Sequence, residues 1–284
     1  MKVLVLIPPS KFARNVARDL VYGCWCKGKR IAGIQFPPIS QLTVVTVLRE
    51  AGHDAQILDA AALGLSIEAI EERIAQGYDA ALVLTSTLTI GEDAAILARV
   101  KRARPGLRTA VWGSQPTFMP GGTLLREGID FIIQRESEFV IRDLIAALER
   151  GDGSHRSVKG IGYMDGDQAV VNPPYPFIPN LDALPIPDRS LLPKSVDYFN
   201  PIVKRLPFTT MFTTRGCPAK CTFCQSPPFY GDRVRFQSAK RVVDEMEAVE
   251  KQGYKEIFFR DEIFTASRKR VQEICRLILE RGVK

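Results

Sequence analysis

Short apolar runs alternate with stretches of helical period along the first 150 residues. Residues 2–7 read as a buried strand. Residues 40–51 place Leu42, Val45, Val47 and Leu48 at helical spacing before Gly52, which supplies a helix stop. Strands follow at 55–58, 79–85, 108–112 and 131–133. Between and after them come helices at 66–76, capped by Ser66, at 92–104, ended by Pro105-Gly106, at 123–127 and at 139–150. Strand-then-helix repetition with short connections predicts an α/β fold: a parallel, Rossmann-like (flavodoxin-like) sheet over residues 1–150.

The pattern breaks at Gly151-Asp152-Gly153-Ser154, a linker signal. Residues 161–164 and 169–171, around Asp165-Gly166, read as a β-hairpin. Nine of the 19 prolines fall between Pro173 and Pro207, so residues 151–207 are expected to run extended over a surface and join two domains. From Phe208 the βα rhythm returns, with a strand at 209–214, a cysteine-rich loop, a helix at 238–252, a strand at 256–259 and a helix at 267–281. Ser238 and Ser267 stand at cap positions. Residues 208–284 are thus two βα units.

Composition narrows the class. Of the 284 residues, 45% are hydrophobic and 25% charged, which is ordinary globular usage and excludes extended disorder or fibrous repeats. No apolar run approaches the roughly 20 residues that span a bilayer. The first apolar stretch stops at Pro8-Pro9, short of a signal-peptide core. A soluble, cytoplasmic protein is the expectation. The net charge of +7 resides wholly in residues 201–284, which carry 17 basic and 10 acidic groups. Such a surplus suits either an anionic partner or solvated helix faces.

Three of the six cysteines form Cys217-Pro218-Ala219-Lys220-Cys221-Thr222-Phe223-Cys224, a C-x3-C-x2-C spacing directly after a predicted strand. Thiolates this close on a loop can wrap one soft metal centre, and three cannot all pair as disulfides. Three ligands leave one iron of a 4Fe-4S cube open. A structural zinc site normally takes a fourth Cys or His, and the two histidines, His53 and His155, lie far away in sequence. Cys24 and Cys26 read as loop thiols, and Cys275 as a core residue near Ile274 and Ile278.

The run from Thr213 to Cys224 resembles the cluster loop of the radical S-adenosylmethionine (SAM) enzymes. The resemblance implies a 4Fe-4S cluster on Cys217, Cys221 and Cys224 at the first strand of a partial TIM-type barrel. SAM would chelate the open iron and be cleaved reductively to a 5′-deoxyadenosyl radical, with Phe223 beside the cluster and adenine. Arg260-Asp261-Glu262-Ile263-Phe264 resembles the acidic element at the second barrel strand of one subgroup. By that likeness Asp261 and Glu262 bind the SAM ammonium or ribose; a solvated acidic pair is the alternative.

That subgroup carries a cobalamin-binding domain before its barrel, and Leu181-Asp182-Ala183-Leu184-Pro185-Ile186-Pro187-Asp188-Arg189 is similar to its connector. Ser86, Thr87 and Leu88 match its S-x-L element. Gly113-Ser114-Gln115-Pro116-Thr117 resembles its Gly-Gly-x-x-Pro-Thr loop, with Trp112 in place of the first glycine. Glu136-Ser137-Glu138 resembles a Gly-Glu-Gly-Glu turn in which Arg135 and Ser137 occupy the glycine positions. The resemblance thus assigns Ser86, Thr87, Leu88, Gly113, Gln115, Glu136 and Ser137 to cobalamin. With no D-x-H-x-x-G motif, no protein histidine is expected on cobalt.

The whole-chain likeness implies a cobalamin-dependent radical SAM enzyme that methylates an unactivated carbon of a small molecule. It would be reduced by a donor such as flavodoxin or ferredoxin, with no nucleic-acid partner and no membrane span. Ring closure or another radical rearrangement, methylthio transfer, and a non-catalytic cofactor-binding fragment are the alternatives. The methylthiotransferases carry three further N-terminal cluster cysteines, where this chain has only Cys24 and Cys26. Family barrels hold about six βα units, so the two here suggest a chain that is C-terminally incomplete or completed by a partner.

Overall fold

In a computed structural model, residues 1–11 and 35–284 are described. Cys24 and Cys26 lie outside the described residues.

Strands β1 (Lys2–Ile7), β2 (Asp54–Asp59), β3 (Ala80–Thr85), β4 (Arg108–Gly113) and β5 (Phe131–Ile133) pair in parallel, in the order β2-β1-β3-β4-β5. Every residue of β3 is buried, as expected of a central strand covered on both faces. On one face α1 (Ile39–Glu50) and α6 (Glu138–Arg150) cover a core that includes Val5, Leu82, Trp112 and Ile141. On the other, α2 (Ile67–Ala75) and α3 (Ile90–Ala103) cover Leu4, Val83 and Val111. The side-chain alternation of a strand sends successive residues to opposite faces. That alternation places the Trp112 ring in the core under α1 and α6, not among loops at the strand ends.

The order reverses between β1 and β3. Ligands of open α/β sheets bind beyond the carboxyl ends of the strands at such a switch point, and Ser86-Thr87-Leu88 follows β3 there.

Three expectations need correction. The helix read at 123–127 lies earlier, as α5 (Pro120–Leu124), because Pro120 suits the first helical position and starts it; a further short helix, α4 (Ser114–Phe118), stands where a loop was expected. The strand read at 209–214 splits into β8 (Phe208–Met211) and β9 (Thr214–Arg215). Cys275 is exposed; it lies on α9 (Arg268–Arg281) beside Ile274, which takes the buried position. Neighbours in a helix sequence are about 100° apart and cannot share a narrow apolar stripe.

The hairpin β6 (Ile161–Asp165) and β7 (Gln168–Val171) joins the main sheet. β6 pairs antiparallel with β5 and extends the sheet to seven strands. The proline-rich connector then packs on the helices: Ile178, Leu181 and Leu184 form one cluster with Val47 of α1 and Phe139 of α6. The second unit pairs β8 in parallel with β11 (Glu256–Phe259). Over this pair lie α8 (Ala239–Lys251) and α9, with Met211, Val242, Val243 and Ile274 as its buried centre. Ser66, Ser238 and Ser267 each accept from a first-turn N–H, as caps do.

Candidate functional site

Gly216 and Cys217 begin the thiol loop directly after β9. Gly216 has φ +88°, and a Cβ there would stand 2.2 Å from the Arg233 carbonyl, so only glycine lets the chain enter the loop at this crossing. The loop ends in α7 (Ser226–Tyr230), and the chain returns as β10 (Arg235–Phe236), antiparallel to β9. Cys217 and Cys224 are partly buried and Cys221 is exposed; all three are free thiols. The Cys224 Sγ accepts from the Ser226 N–H at 3.5 Å. Three unpaired thiols beyond the carboxyl end of the strand in the first βα unit fit the donor set of a three-thiolate iron–sulfur cluster. Among the described residues, no three or more His, Cys, Asp or Glu lie together as a single-ion site. Phe223 is 87% exposed.

The two acidic residues after β11 differ in occupation. Asp261 is fully engaged. Its Oδ1 accepts from the Thr213 N–H at 2.6 Å, the Thr214 N–H and the Thr214 hydroxyl, and its Oδ2 accepts from the Thr213 hydroxyl. These bonds take the backbone donors of 213 and 214, which is why the first strand splits in two. Burial pushes the Asp261 carboxyl up from its ordinary value, against the pull of these four donors. Glu262 has no such commitment: its Oε2 is buried without a hydrogen-bond partner. Burial pushes it up as well, the neighbouring Asp261 charge adds to this, and Ser226 opposes from outside hydrogen-bond geometry. Glu262 lines a cavity of about 50 Å³ together with Thr43, Pro185, Arg215 and Gln237, whose Oε1 is also unpartnered. The division between a committed Asp261 and an available Glu262 has no sequence signal.

At the carboxyl ends of the main sheet, the Ser86 hydroxyl is buried against the Thr89 hydroxyl at 3.2 Å, while Thr87 and Leu88 are exposed. Gly113 has φ +119°, and a Cβ there would meet the Thr85 carbonyl at 2.3 Å. Gln115 is buried with its Oε1 unpartnered. Leu88, Phe118 and Met119 expose apolar surface on these loops. An open apolar rim with an unmet buried acceptor suits a large ligand bearing amide donors, as a corrinoid does. Arg135 takes a left-handed φ of +58° at the position where the resembled turn has glycine; its N–H bonds the Thr117 hydroxyl at 2.9 Å.

Glu136 and Ser137 are buried. The Glu136 carboxylate does not face the rim: it pairs with Arg235 in bidentate fashion at 2.7 and 2.9 Å and accepts the Ile178 N–H. Glu138 pairs with Arg215 at 2.5 Å. Burial is the largest influence on the Glu138 carboxyl and would raise it, but the Arg215 charge and hydrogen bond, a backbone N–H and the Arg235 charge together hold the group below the usual range. The rims of the two units also touch, where Phe118 of α4 meets Phe229 of α7 at 6.4 Å between ring centroids. Arg215 and Arg235 carry no role in the sequence reading, although Arg215 lies within the loop motif. Arg189, the last residue of the connector motif, is buried and donates to Glu245 at 2.7 Å and to Thr209 and Thr210.

A flavodoxin-like sheet whose carboxyl-end rim meets a thiol loop on a βα unit defines a two-part α/β protein. Comparison with known proteins carries this to a family. Residues 32–145 match the B12 binding domain family and residues 211–284 the Radical SAM superfamily. The chain belongs to the radical SAM proteins that carry a B12-binding domain.

It is 31% identical over 288 residues to a protein of Pyrococcus horikoshii described as uncharacterized methyltransferase PH0819, covering 100% of this chain and 58% of the relative. It is also 31% identical over 264 residues to the anaerobic magnesium-protoporphyrin IX monomethyl ester cyclase of Rubrivivax gelatinosus, covering 90% and 46%. In fold it is similar to the radical SAM methyltransferase TsrM of Kitasatospora setae, solved with cobalamin and a 4Fe-4S cluster bound. The TM-score is 0.75 at 21% identity, over 99% of this chain and 53% of that one. The chain thus spans about half the length of the relatives it matches. Among the described residues, no helix is long and apolar enough to cross a membrane.

Proposed function

We propose that this chain forms the cobalamin- and SAM-binding portion of a radical SAM methyltransferase that acts on an unactivated carbon of a small molecule. The observation that carries the reading is the meeting of the thiol loop with the carboxyl-end rim of the sheet, at Phe118 and Phe229. When bound, the cluster supplies the electron for reductive SAM cleavage and the corrinoid serves as methyl carrier.

The chain's own residues divide the work around these groups. Cys217, Cys221 and Cys224 hold the cluster, and the Ser226 N–H holds the Cys224 sulfur in place. Asp261 fixes the backbone entering the loop. Glu262, with a free oxygen beside the loop, accepts a hydrogen bond from the SAM ammonium or ribose, and the exposed Phe223 closes on the adenine. Thr87, Leu88 and the Gln115 amide line the corrinoid face, with Gly113 and Ser86 shaping the backbone beneath it. An external donor such as flavodoxin or ferredoxin supplies the electron.

Anaerobic reconstitution with iron and sulfide tests this. The chain is expected to gain cluster absorbance, lose it in Cys221→Ala, and release 5′-deoxyadenosine from SAM on reduction. It should also retain a corrinoid through gel filtration, and Leu88→Arg should release it. Absence of both cofactors would remove the reading, and cluster uptake without SAM cleavage would favour a non-catalytic binding role. The likeness to the Rubrivivax gelatinosus cyclase favours radical ring closure as the second reading. A product heavier by one methylene identifies methyl transfer, whereas ring closure adds no carbon.

A further inference from the structure

Arg215 and Arg235 face each other across the β9–β10 ribbon as a direct cross-strand pair. Like charges so placed repel, and both side chains are largely buried. Two carboxylates from the other structural unit answer them. Glu138 takes Arg215 through both of its oxygens, at 2.5 and 3.2 Å, and Glu136 takes Arg235 in the same way. Arg215 also reaches Glu136 at 3.4 Å, so the four groups form one neutral network. Tyr230 and Phe177 lie under the two guanidinium planes. Paired guanidinium–carboxylate forks fix direction as well as distance. The ribbon they hold is the stem of the thiol loop, since Arg215 lies two residues before Cys217 and Arg235 eleven after Cys224.

We propose that Glu136 and Glu138 are positioning residues that clamp the stem of the cluster loop onto the sheet domain. In this role they set the spacing between the cluster and corrinoid sites without touching the corrinoid. The consequence for spacing rests on the function proposed above; the clamp itself does not.

The test uses the full chain, with Glu138→Gln, Arg215→Gln and the double variant. In the apoprotein, hydrogen exchange at residues 214–217 and 235–237 is expected to rise roughly tenfold or more in each single variant. The double variant should show no more than the larger single effect, because one broken pair is the same pair. After reconstitution, Glu138→Gln should keep wild-type iron and corrinoid content, while the magnetic coupling between the reduced cluster and cob(II)alamin weakens. Unchanged ribbon exchange, or corrinoid loss with the ribbon still protected, would overturn the proposal. A wild type that takes up neither cofactor, with the ribbon still loosened in the variants, would remove the functional reading and leave the clamp standing. Should Glu138→Gln not fold, Glu138→Asp keeps the charge, shortens its reach and carries the same readouts.

Discussion

The Asp261 carboxylate accepts from both the backbone N–H and the hydroxyl of Thr214, across 47 residues of sequence. It therefore acts on the polypeptide that enters the thiol loop. Glu262, next in sequence, keeps a buried oxygen without a partner. Adjacent residues of one acidic pair thus serve different ends.

Asp261→Asn is expected to remove acceptor capacity while leaving the Thr213 and Thr214 donors buried. Hydrogen bonds to a charged group contribute about 1.5–3 kcal/mol each, so a loss of about 3 kcal/mol of stability is expected by denaturant unfolding. Cluster uptake should fall with it.

Glu262→Gln is expected to behave in the opposite sense and to depend on pH. Burial raises the Glu262 carboxyl above its ordinary value of 4.5, so the folded state holds this proton more tightly than the unfolded chain does. The stabilisation from the neutral form is complete below 4.5 and is lost as pH rises through the raised value. Glutamine cannot ionise. The variant's melting temperature should therefore gain on wild type as pH rises above 4.5, and a constant difference would contradict the assignment.

Gly113→Ala places a Cβ 2.3 Å from the Thr85 carbonyl at a φ of +119°. Backbone strain and overpacking together cost about 3 kcal/mol. The expected result is a matching loss in unfolding free energy and weaker corrinoid retention, because β3 and β4 must part where their loops form the rim.

Arg189→Met leaves the buried Glu245, whose side chain is 4% exposed, with Arg241 as its remaining cationic partner. Removing one partner of a buried pair costs about 3–5 kcal/mol. Arg189→Met/Glu245→Met should recover part of that loss, with Arg241, the second partner of Glu245, setting the remainder. Equal losses in the single and double variants would contradict the pairing.

The sequence alone determined what local chemistry and short-range order can determine. Short apolar runs and stretches of period 3.6 identified the strands and helices of the main sheet, since burial of both strand faces or of one helix stripe marks each element separately. The spacing of Cys217, Cys221 and Cys224 was legible because all three ligands lie on one loop. The tertiary structure decided which polar groups meet. Arg215 finds Glu138 across 77 residues and Arg235 finds Glu136 across 99. No periodicity records such pairings, because a carboxylate in sequence looks the same whether it meets a ligand, solvent or a guanidinium. Folding also put the hairpin on the sheet, the Trp112 ring in the core, and Asp261 on the strand it divides. In each case a buried polar or bulky group takes whichever partner the packed chain brings within reach, because leaving it unmatched costs more than any local preference gains.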